Sequence, residues 1–190
     1  MGVSITAYIG LLLAVGLGRL VEMRISARHQ RQLSAQGVVK VPERNFRWMV
    51  LLHTGVLVSA GLEVVLFRRP LIPRLALAMG LLFVLANGLR WWVMTTLSEH
   101  WNVQVMASTR LGVVTGGPYR WIRHPNYVAV FLELLALPLI HTAWLTAVWG
   151  GVAHVRILRW RVAVEETVLL ADTAYQVTMG NKPRFLPKLF

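Results

Sequence analysis

The most informative stretch of the chain is Gly116-Gly117-Pro118-Tyr119-Arg120-Trp121-Ile122-Arg123-His124-Pro125-Asn126-Tyr127, which stands directly before a long apolar run and predicts a polar site at a membrane surface. The paired glycines and Pro118 end any preceding helix, whereas Pro125 suits the first turn of a new helix, where its missing N–H costs nothing. Four side chains are thereby gathered at one helix start: Tyr119, Arg123, His124 and Tyr127. Free backbone N–H groups and the positive end of the helix dipole favour an anionic or carboxylate-bearing ligand there.

A second interpretation of the same stretch is an anchor at the membrane surface. Arg, Tyr and Trp collect at the headgroup level of membrane proteins without any catalytic role. These residue types alone leave both interpretations open.

The composition indicates an integral membrane protein. The 190 residues are 56% hydrophobic and only 15% charged, and the mean hydropathy of +0.55 is too high for a soluble domain of this length. The net charge of +12 is explained by an anionic lipid leaflet, so the lipid bilayer and not nucleic acid is the expected partner. The absence of cysteine excludes disulfides, zinc thiolate sites and thiol nucleophiles.

Apolar runs predict an all-α protein with about five transmembrane helices. Three runs are long enough to cross the hydrocarbon core of roughly 30 Å: Val3 to Val21, Trp48 to Phe67 and Leu71 to Leu97. The stretch from Tyr127 to Arg156 is too long for one span, and Pro138 lies near its middle, so we divide it into a helical hairpin. Its second arm is expected to leave the bilayer and continue toward Ala171. We treat residues 1–190 as one domain, with N-terminal helices in 1–97 and the cofactor-binding and catalytic region in 98–190.

Basic residues predict the orientation in the membrane. Many of them lie in the segment from Arg24 to Arg47, expected to be a loop, and in the segments after the third and fifth helices. Three basic residues fall on the other side: Arg68, Arg69 and Arg74. The positive-inside rule therefore predicts an external N-terminus and a site that faces the cytoplasm from the inner or plasma membrane.

Ionisable groups within membrane spans usually face the interior of a helix bundle. Three residues within the predicted third and fourth spans are expected to contact a substrate: Arg90, Trp91 and Glu133. Glu133 lies six residues beyond Tyr127, about 9 Å deeper at the helical rise, where it can line a cavity beneath the site. Snorkelling toward the surface explains Arg90 about as well as function does.

A third polar cluster follows the hairpin. Arg161 and Glu165 are four residues apart and therefore share one face of a helix. The adjacent carboxylates Glu165 and Glu166 point about 100° apart, so we expect one to face the site and the other to be solvated. Taken alone, the cluster also fits a surface ion pair.

Several common chemistries lack their sequence motifs. The glycines at 112, 116 and 117 do not have the spacing of a Rossmann or P-loop nucleotide site, and no H-E-x-x-H or G-x-S-x-G motif is present. No pair among the six histidines has metal-ligand spacing, so we expect no metal.

Linked motifs follow one another through the C-terminal half. They are H-W-N and V-Q-V at 100–105, T-G-G-P-Y-R-W-I-R-H-P-N-Y at 115–127, R-x-x-x-E-E-x-x-L at 161–169, and P-R-F-L-P at 183–187. In this order they closely resemble the isoprenylcysteine carboxyl methyltransferase family of membrane enzymes, over roughly residues 85 to 187. The resemblance implies S-adenosylmethionine as the cofactor.

The resemblance also implies roles for individual residues. Arg161 and Glu165 match the essential pair of the family and are expected to be catalytic. The expected contacts of the cofactor are Gln104, Val105, Gly117, Tyr119, Arg123, His124, Tyr127, Pro183, Arg184 and Leu186. Aromatic faces and a carboxylate suit its sulfonium cation, whereas a helix start with a nearby guanidinium suits its amino-acid carboxylate.

The continuation L-E-x-L-x-L-P-L at 132–139 is most similar to the bacterial branch found beside type III polyketide synthases, whose members O-methylate alkylpyrones. Ala129 stands where Gly is common in the wider family, and Thr178 replaces the second Tyr of a usual Y-x-x-Y; both differences concern the shape of the pocket. The expected acceptor is a lipophilic acid of the alkylpyrone type, supplied by a polyketide synthase as a partner. An enolate or carboxylate is already ionised at neutral pH, so catalysis is expected to come from positioning and the exclusion of water.

Three alternatives belong to other classes of substrate or protein. They are carboxyl methylation of isoprenylcysteine-type substrates, reduction by an NADPH-dependent membrane reductase, and a non-catalytic role in membrane assembly. The small number of spans argues against the reductase, and the clustered R-H-P-N-Y and E-E motifs argue against an assembly protein.

Overall fold

The computed structural model describes residues 2–41, 46–107 and 112–187. Within them the helices are α1 (Gly2–Ala35), α2 (Phe46–Leu66), α3 (Pro73–Leu97), α4 (Pro125–Leu139), α5 (Trp144–Leu169) and α6 (Thr173–Met179). Two-residue strands, β1 (Val39–Lys40) and β2 (Met106–Ala107), pair in antiparallel fashion. Short 3-10 turns occupy Ser98–His100 and Gly117–Arg120. The predicted all-α class is therefore confirmed.

Among the described residues, three helices are long and apolar enough to cross a membrane: α1, α2, and α3 together with the turn that follows it. Helix α4 is apolar but has only 15 residues, about 22 Å at the helical rise, which is less than the hydrocarbon thickness. Helix α5 has 26 residues, and its second half is strongly charged. A count of five spans thus stays a prediction where α4 and α5 are concerned.

The expectation of a loop beginning at Arg24 is wrong, because α1 continues as a helix to Ala35. Ala, Arg and Gln in this part of the chain favour helix, and tertiary contacts hold it. Ser26 and Leu33 are buried, and the Nδ1 atom of His29 lies 2.8 Å from the carbonyl oxygen of Trp101. Residues 42–45 of the expected loop lie outside the described residues.

The hairpin between α4 and α5 is present, with its turn at residues 140–143. Pro138 lacks an N–H, Thr142 has a φ of +55°, and the amide of Ala143 donates to the carbonyl of Pro138 at 3.0 Å. A buried carboxylate from α2 then caps α5: Glu63 accepts from the amides of Leu145 and Thr146 at 3.1 and 2.8 Å. This explains why an acidic residue is retained within an apolar helix.

Helices α2 and α5 approach each other closely at a glycine. A Cβ atom on Gly150 would lie 2.8 Å from a methyl carbon of Val56, which is itself fully buried. Val56 also packs in one cluster with Leu52, Val130 and Leu134. Helices α2, α4 and α5 therefore pack together at this point, and α4 and α5 also carry residues of the polar site.

Candidate active site

A cavity of about 490 Å³ lies where α4 begins. Its walls come from the start of α4, the second half of α5, the start of α6 and the segments around residues 97–106 and 112–114. Eight of the residues expected at the site line it: Gln104, Val105, Tyr119, Arg123, His124, Tyr127, Arg161 and Glu165. The volume falls within the range of ordinary small-molecule and cofactor sites.

Gly117 shapes this cavity from behind and does not line it. Its φ is +53°, and a Cβ atom there would lie 2.3 Å from the hydroxyl of Thr96. Only glycine fits such a left-handed position against a neighbouring helix. The 3-10 turn that begins at Gly117 can therefore pack on α3 and direct Tyr119 inward.

The hydroxyl of Tyr127 joins the expected catalytic pair. The Nε atom of Arg161 donates to this hydroxyl at 2.7 Å, and the hydroxyl in turn donates to the carboxylate of Glu165. The Nη2 atom of Arg161 donates to the carbonyl of Val103, which fixes the plane of the guanidinium. Four groups from α4, α5 and the segment between α3 and α4 thus form one connected network.

Glu166 is also part of the site, so the expectation that one of the two adjacent carboxylates is solvated is wrong. Glu166 is buried, and its carboxylate lies 3.1 Å from Nε2 of His124, 3.2 Å from Nη1 of Arg123 and 2.7 Å from Nη2 of Arg184. Partners reach α5 from two directions, because Tyr127 binds Glu165 whereas three basic side chains bind Glu166, so a separation of about 100° serves both carboxylates.

The charge of Glu166 is stabilised by these partners. Burial alone would raise its pKa, but hydrogen bonds from Arg184 and His124 and the charge of Arg123 outweigh that effect and hold the pKa below its ordinary value. Glu166 is therefore an anion that binds three basic groups together at neutral pH.

The C-terminal tail braces the start of α4 from outside. The carbonyl of Pro183 accepts from the amide of Arg123 at 2.9 Å, and the carbonyl of Arg184 accepts from the amide of His124 at 3.0 Å. Leu186 is 76% exposed. The three tail residues expected as cofactor contacts do not line the cavity: Pro183, Arg184 and Leu186. Two of them, Pro183 and Arg184, instead accept hydrogen bonds from the amides of residues that do line it.

Three buried polar atoms of the cavity wall have no hydrogen-bond partner within the described residues: Trp101 Nε1, Arg123 Nε and Asn126 Oδ1. Two donors and one acceptor without partners in the residues of one cavity wall would be satisfied by a ligand that carries both kinds of polar atom. Trp101 and Asn126 were not among the residues expected at the site. Asn126 lies inside the R-H-P-N-Y motif, so its position was the signal that could have identified it.

The phenols around the cavity stay neutral. Burial and the nearby Glu165 carboxylate raise the pKa of Tyr175 to about 12 and raise that of Tyr119 further. Neutral aromatic rings close to the Glu165 carboxylate favour a cationic ligand. No group of three His, Cys, Asp or Glu residues that could hold a metal ion occurs in the described part of the chain.

A second cavity, of about 710 Å³, lies between α1 and α2. Its lining is mainly apolar and includes strongly exposed side chains of both helices, such as Leu13, Leu17 and Leu62, so it opens sideways. Met49 and Val103 line this cavity and also contact Arg161, which lines the first cavity. The guanidinium of Arg161 therefore lies between the two cavities.

The three residues expected to contact a substrate are placed differently. Arg90 lines the second cavity. Glu133 is buried and pairs with Arg19 of α1. Trp91 is 60% exposed on the outer surface of α3 and lines neither cavity.

Fold and site define a helical membrane protein with a polar small-molecule site near a second, apolar cavity. The model of the isoprenylcysteine carboxyl methyltransferase family matches residues 77–171, half of the chain. The chain therefore belongs to this family of membrane methyltransferases, which use S-adenosylmethionine.

Known proteins resemble the chain over most of its length. It is 28% identical over 152 residues to the uncharacterised protein YpbQ of Bacillus subtilis, covering 80% of this chain and 89% of that protein. It is 26% identical over 153 residues to an uncharacterised protein of Haemophilus influenzae, covering 80% and 88%. It superimposes on the structure of the eukaryotic intramembrane Ras methyltransferase with a TM-score of 0.64 at 23% identity, covering 91% of this chain and 62% of that one.

Proposed function

We propose that the protein transfers a methyl group from S-adenosylmethionine to an acidic oxygen of a lipophilic acceptor at the membrane surface. The observation that carries this proposal is the position of Arg161, which lines the polar cavity and contacts two residues of the apolar cavity that is open sideways. A reaction between a polar cofactor and a lipid-like acceptor requires both kinds of space at one point.

The polar cavity fits the cofactor. The open atoms of Trp101, Arg123 and Asn126 would bind its polar groups, and Tyr119 and Tyr127 would lie against it. When bound, S-adenosylmethionine supplies an electrophilic methyl group on a positively charged sulfur. The aromatic rings and the carboxylate of Glu165 give that charge a favourable environment.

Arg161 would hold the acceptor oxygen as an anion. Its Nε atom is already oriented by the hydroxyl of Tyr127, and Glu165 orients that hydroxyl in turn. An enolate or carboxylate needs no strong base, so the residues act by positioning the oxygen and excluding water. Glu165 and Tyr127 are thus orienting groups for Arg161.

For the acceptor we propose an alkylpyrone type, a 4-hydroxy-2-pyrone with a long alkyl chain. Its acidic enol suits Arg161, and its tail would lie in the apolar cavity, where each buried methylene contributes about 0.8 kcal/mol. The sequence L-E-x-L-x-L-P-L supports this acceptor. Carboxyl methylation of an isoprenylcysteine is the second candidate, and family membership favours it.

We further propose that the site faces the cytoplasm from the inner or plasma membrane and that a polyketide synthase supplies the acceptor. The basic residues of the chain, concentrated at the cytoplasmic side of the predicted arrangement, support this orientation.

A competition assay tests the proposal. Purified protein in detergent is given labelled S-adenosylmethionine with an alkylpyrone series of increasing tail length and a farnesylcysteine analogue. We expect methylated pyrone, with a rate or affinity that rises with tail length, and little methylated cysteine analogue. Preference for the analogue would assign the second candidate, and no transfer to either would refute O-methylation of these acceptors.

A further inference from the structure

Four charged side chains form a buried network beside the apolar cavity. Arg19 pairs with Glu22 at 2.7 Å and with Glu133, and the Nε atom of Arg90 donates to Glu22 at 3.0 Å. The side chains are between 7% and 18% exposed. Two positive and two negative charges balance, so a further anion in this low-dielectric region would be left without a counter-charge.

One donor of this network has no hydrogen-bond partner within the described residues, although its side chain lines the cavity. The Nη1 atom of Arg90 is buried and has no hydrogen-bond partner among the described residues. Arg90 itself lines the apolar cavity, and its side chain is 8% exposed. A buried guanidinium N–H without a partner is costly unless a ligand or water accepts from it.

His53 provides an acceptor on the wall of the same cavity. Its Nδ1 atom lies 2.7 Å from the carbonyl oxygen of Met49, and since a carbonyl only accepts, Nδ1 carries the proton. In the neutral ring Nε2 is then an acceptor. No residue in the described part of the chain donates to it, and His53 lines the cavity.

We infer that the cavity recognises a second, uncharged hydroxyl of the acceptor, which accepts from Arg90 Nη1 and donates to His53 Nε2. A hydroxyl is the small group that both donates and accepts, and the balanced network disfavours an anion. This inference rests on the proposed function, because it describes the acceptor of the same reaction.

The position of this hydroxyl follows from α2. Met49 contacts Arg161, and His53 lies one helical turn further along α2, about 5 Å at the helical pitch. The second hydroxyl is therefore expected close to the reactive head of the acceptor and not far along the tail.

Three matched probes test the inference. Each is a 4-hydroxy-6-alkyl-2-pyrone with one tail length, and the first tail carbon carries hydrogen, hydroxyl or methoxy. Affinity is measured by titration calorimetry in detergent, so the result does not depend on turnover. We expect the hydroxyl probe to bind at least about tenfold more tightly than the hydrogen probe, with the methoxy probe between them because it only accepts.

Two variants separate the roles of the two residues. His53→Phe keeps a flat ring but removes the acceptor, so the hydroxyl and methoxy probes should bind equally. Arg90→Lys keeps the charge of the network but changes the geometry of the donor, so the methoxy probe should lose its advantage over the hydrogen probe and the hydroxyl probe should keep only the part that His53 supplies. Thr54→Val, which removes another hydroxyl from the cavity wall, should leave the order of affinities unchanged.

Equal affinities of the three probes for the wild-type protein would overturn the inference, as would an order of affinities that survives both variants. Methyl transfer is measured in the same samples. Transfer without a preference for the hydroxyl probe would contradict only this inference, whereas binding with the expected preference but no transfer would contradict only the proposed function.

Discussion

The hydroxyl of Tyr127 is the atom that links Arg161 to Glu165. Tyr127→Phe keeps the ring in the cavity wall and removes this link, so Arg161 loses its orientation toward the acceptor oxygen. We expect turnover at saturating cofactor to fall by more than about tenfold, because a factor of this size corresponds to the free energy of roughly one hydrogen bond to a charged group. The affinity for the cofactor should stay unchanged. Steady-state kinetics and calorimetry on the same preparation measure the two effects.

Tyr8→Phe is the matched control for this substitution. The hydroxyl of Tyr8 donates to the carbonyl of Leu137 at 3.0 Å in a buried position that lines neither cavity. Its removal should lower stability by about 1 kcal/mol and leave turnover unchanged. Equal kinetic losses in both variants would mean that Tyr127 acts through stability alone.

Acidification should release the C-terminal tail, because Glu166 holds Arg184 and its pKa is lowered in the folded protein. A lowered pKa contributes stability above the ordinary value of about 4.3, and this contribution is lost as pH falls through the lower folded-state pKa. We expect the amides of Arg123 and His124, which donate to the tail, to lose protection in acid. Hydrogen exchange corrected for intrinsic rates measures this, and Glu166→Gln should show no such step.

Single residues were predictable where a motif fixed their position. The R-H-P-N-Y motif led to His124 and Tyr127, and both line the polar cavity. The burial of Glu166 was not predictable, because it depends on a tail 18 residues away that approaches α5 from another direction. Spacing along one helix gives the angle between two side chains but not the number of partners around it.

At the level of the helices, the contact between α2 and α5 depends on Gly150. Gly150→Ala would place a methyl group 2.8 Å from a methyl carbon of Val56, and such overpacking costs about 1 to 3 kcal/mol. Val56→Ala makes room, so the double variant should recover part of the loss. The free energy of unfolding is measured in detergent for the wild type, the two single variants and the double variant.

Gly80→Ala in α3 is the control for this pair. A Cβ atom at Gly80 would meet nothing within 4 Å, so helix propensity alone should raise stability slightly. A destabilised Gly80→Ala variant would show that alanine itself, and not the contact with Val56, causes the effect.

The hairpin was predictable because Pro138 and the length of the apolar run both indicate a turn. The length of α1 was not. Its second half is polar and basic, which is typical of a cytoplasmic loop, but burial of Ser26 and Leu33 keeps it helical. Tertiary packing therefore determines that this segment is helical, although its hydropathy alone predicts a solvent-exposed loop.

For the whole molecule, the orientation in the membrane can be tested directly because the chain has no cysteine. Ser34 is exposed at the end of α1, and Leu71 lies in the turn between α2 and α3. Cysteine at Ser34 should be labelled only from the cytoplasmic side and cysteine at Leu71 only from outside. The reverse pattern would invert the proposed topology, and labelling of both from one side would change the number of spans between them.

The polar cavity was predictable from the sequence, whereas the second, apolar cavity was not. Motifs close together in the C-terminal half predicted the first. The second lies between α1 and α2, whose exposed leucines and valines are typical of any lipid-facing helix. A gap between two such helices depends on their packing, which no pattern of apolar residues specifies.

The pairing of Arg19 with Glu22 also affects how α1 is inserted into the membrane during synthesis. As α1 enters the bilayer ahead of the later helices, Arg90 and Glu133 are not yet present to balance its charges. The two residues lie three apart on one face and contact each other at 2.7 Å, so α1 carries its own counter-ion during insertion. A lone charge costs the insertion machinery about 2.5 to 3.5 kcal/mol at the centre of a span, and the pairing lowers the smaller cost that applies near the inner end of the predicted span, where Arg19 lies. The pair of Arg19 and Glu22 thus remains neutral as a unit until α3 and α4 are inserted and complete the network.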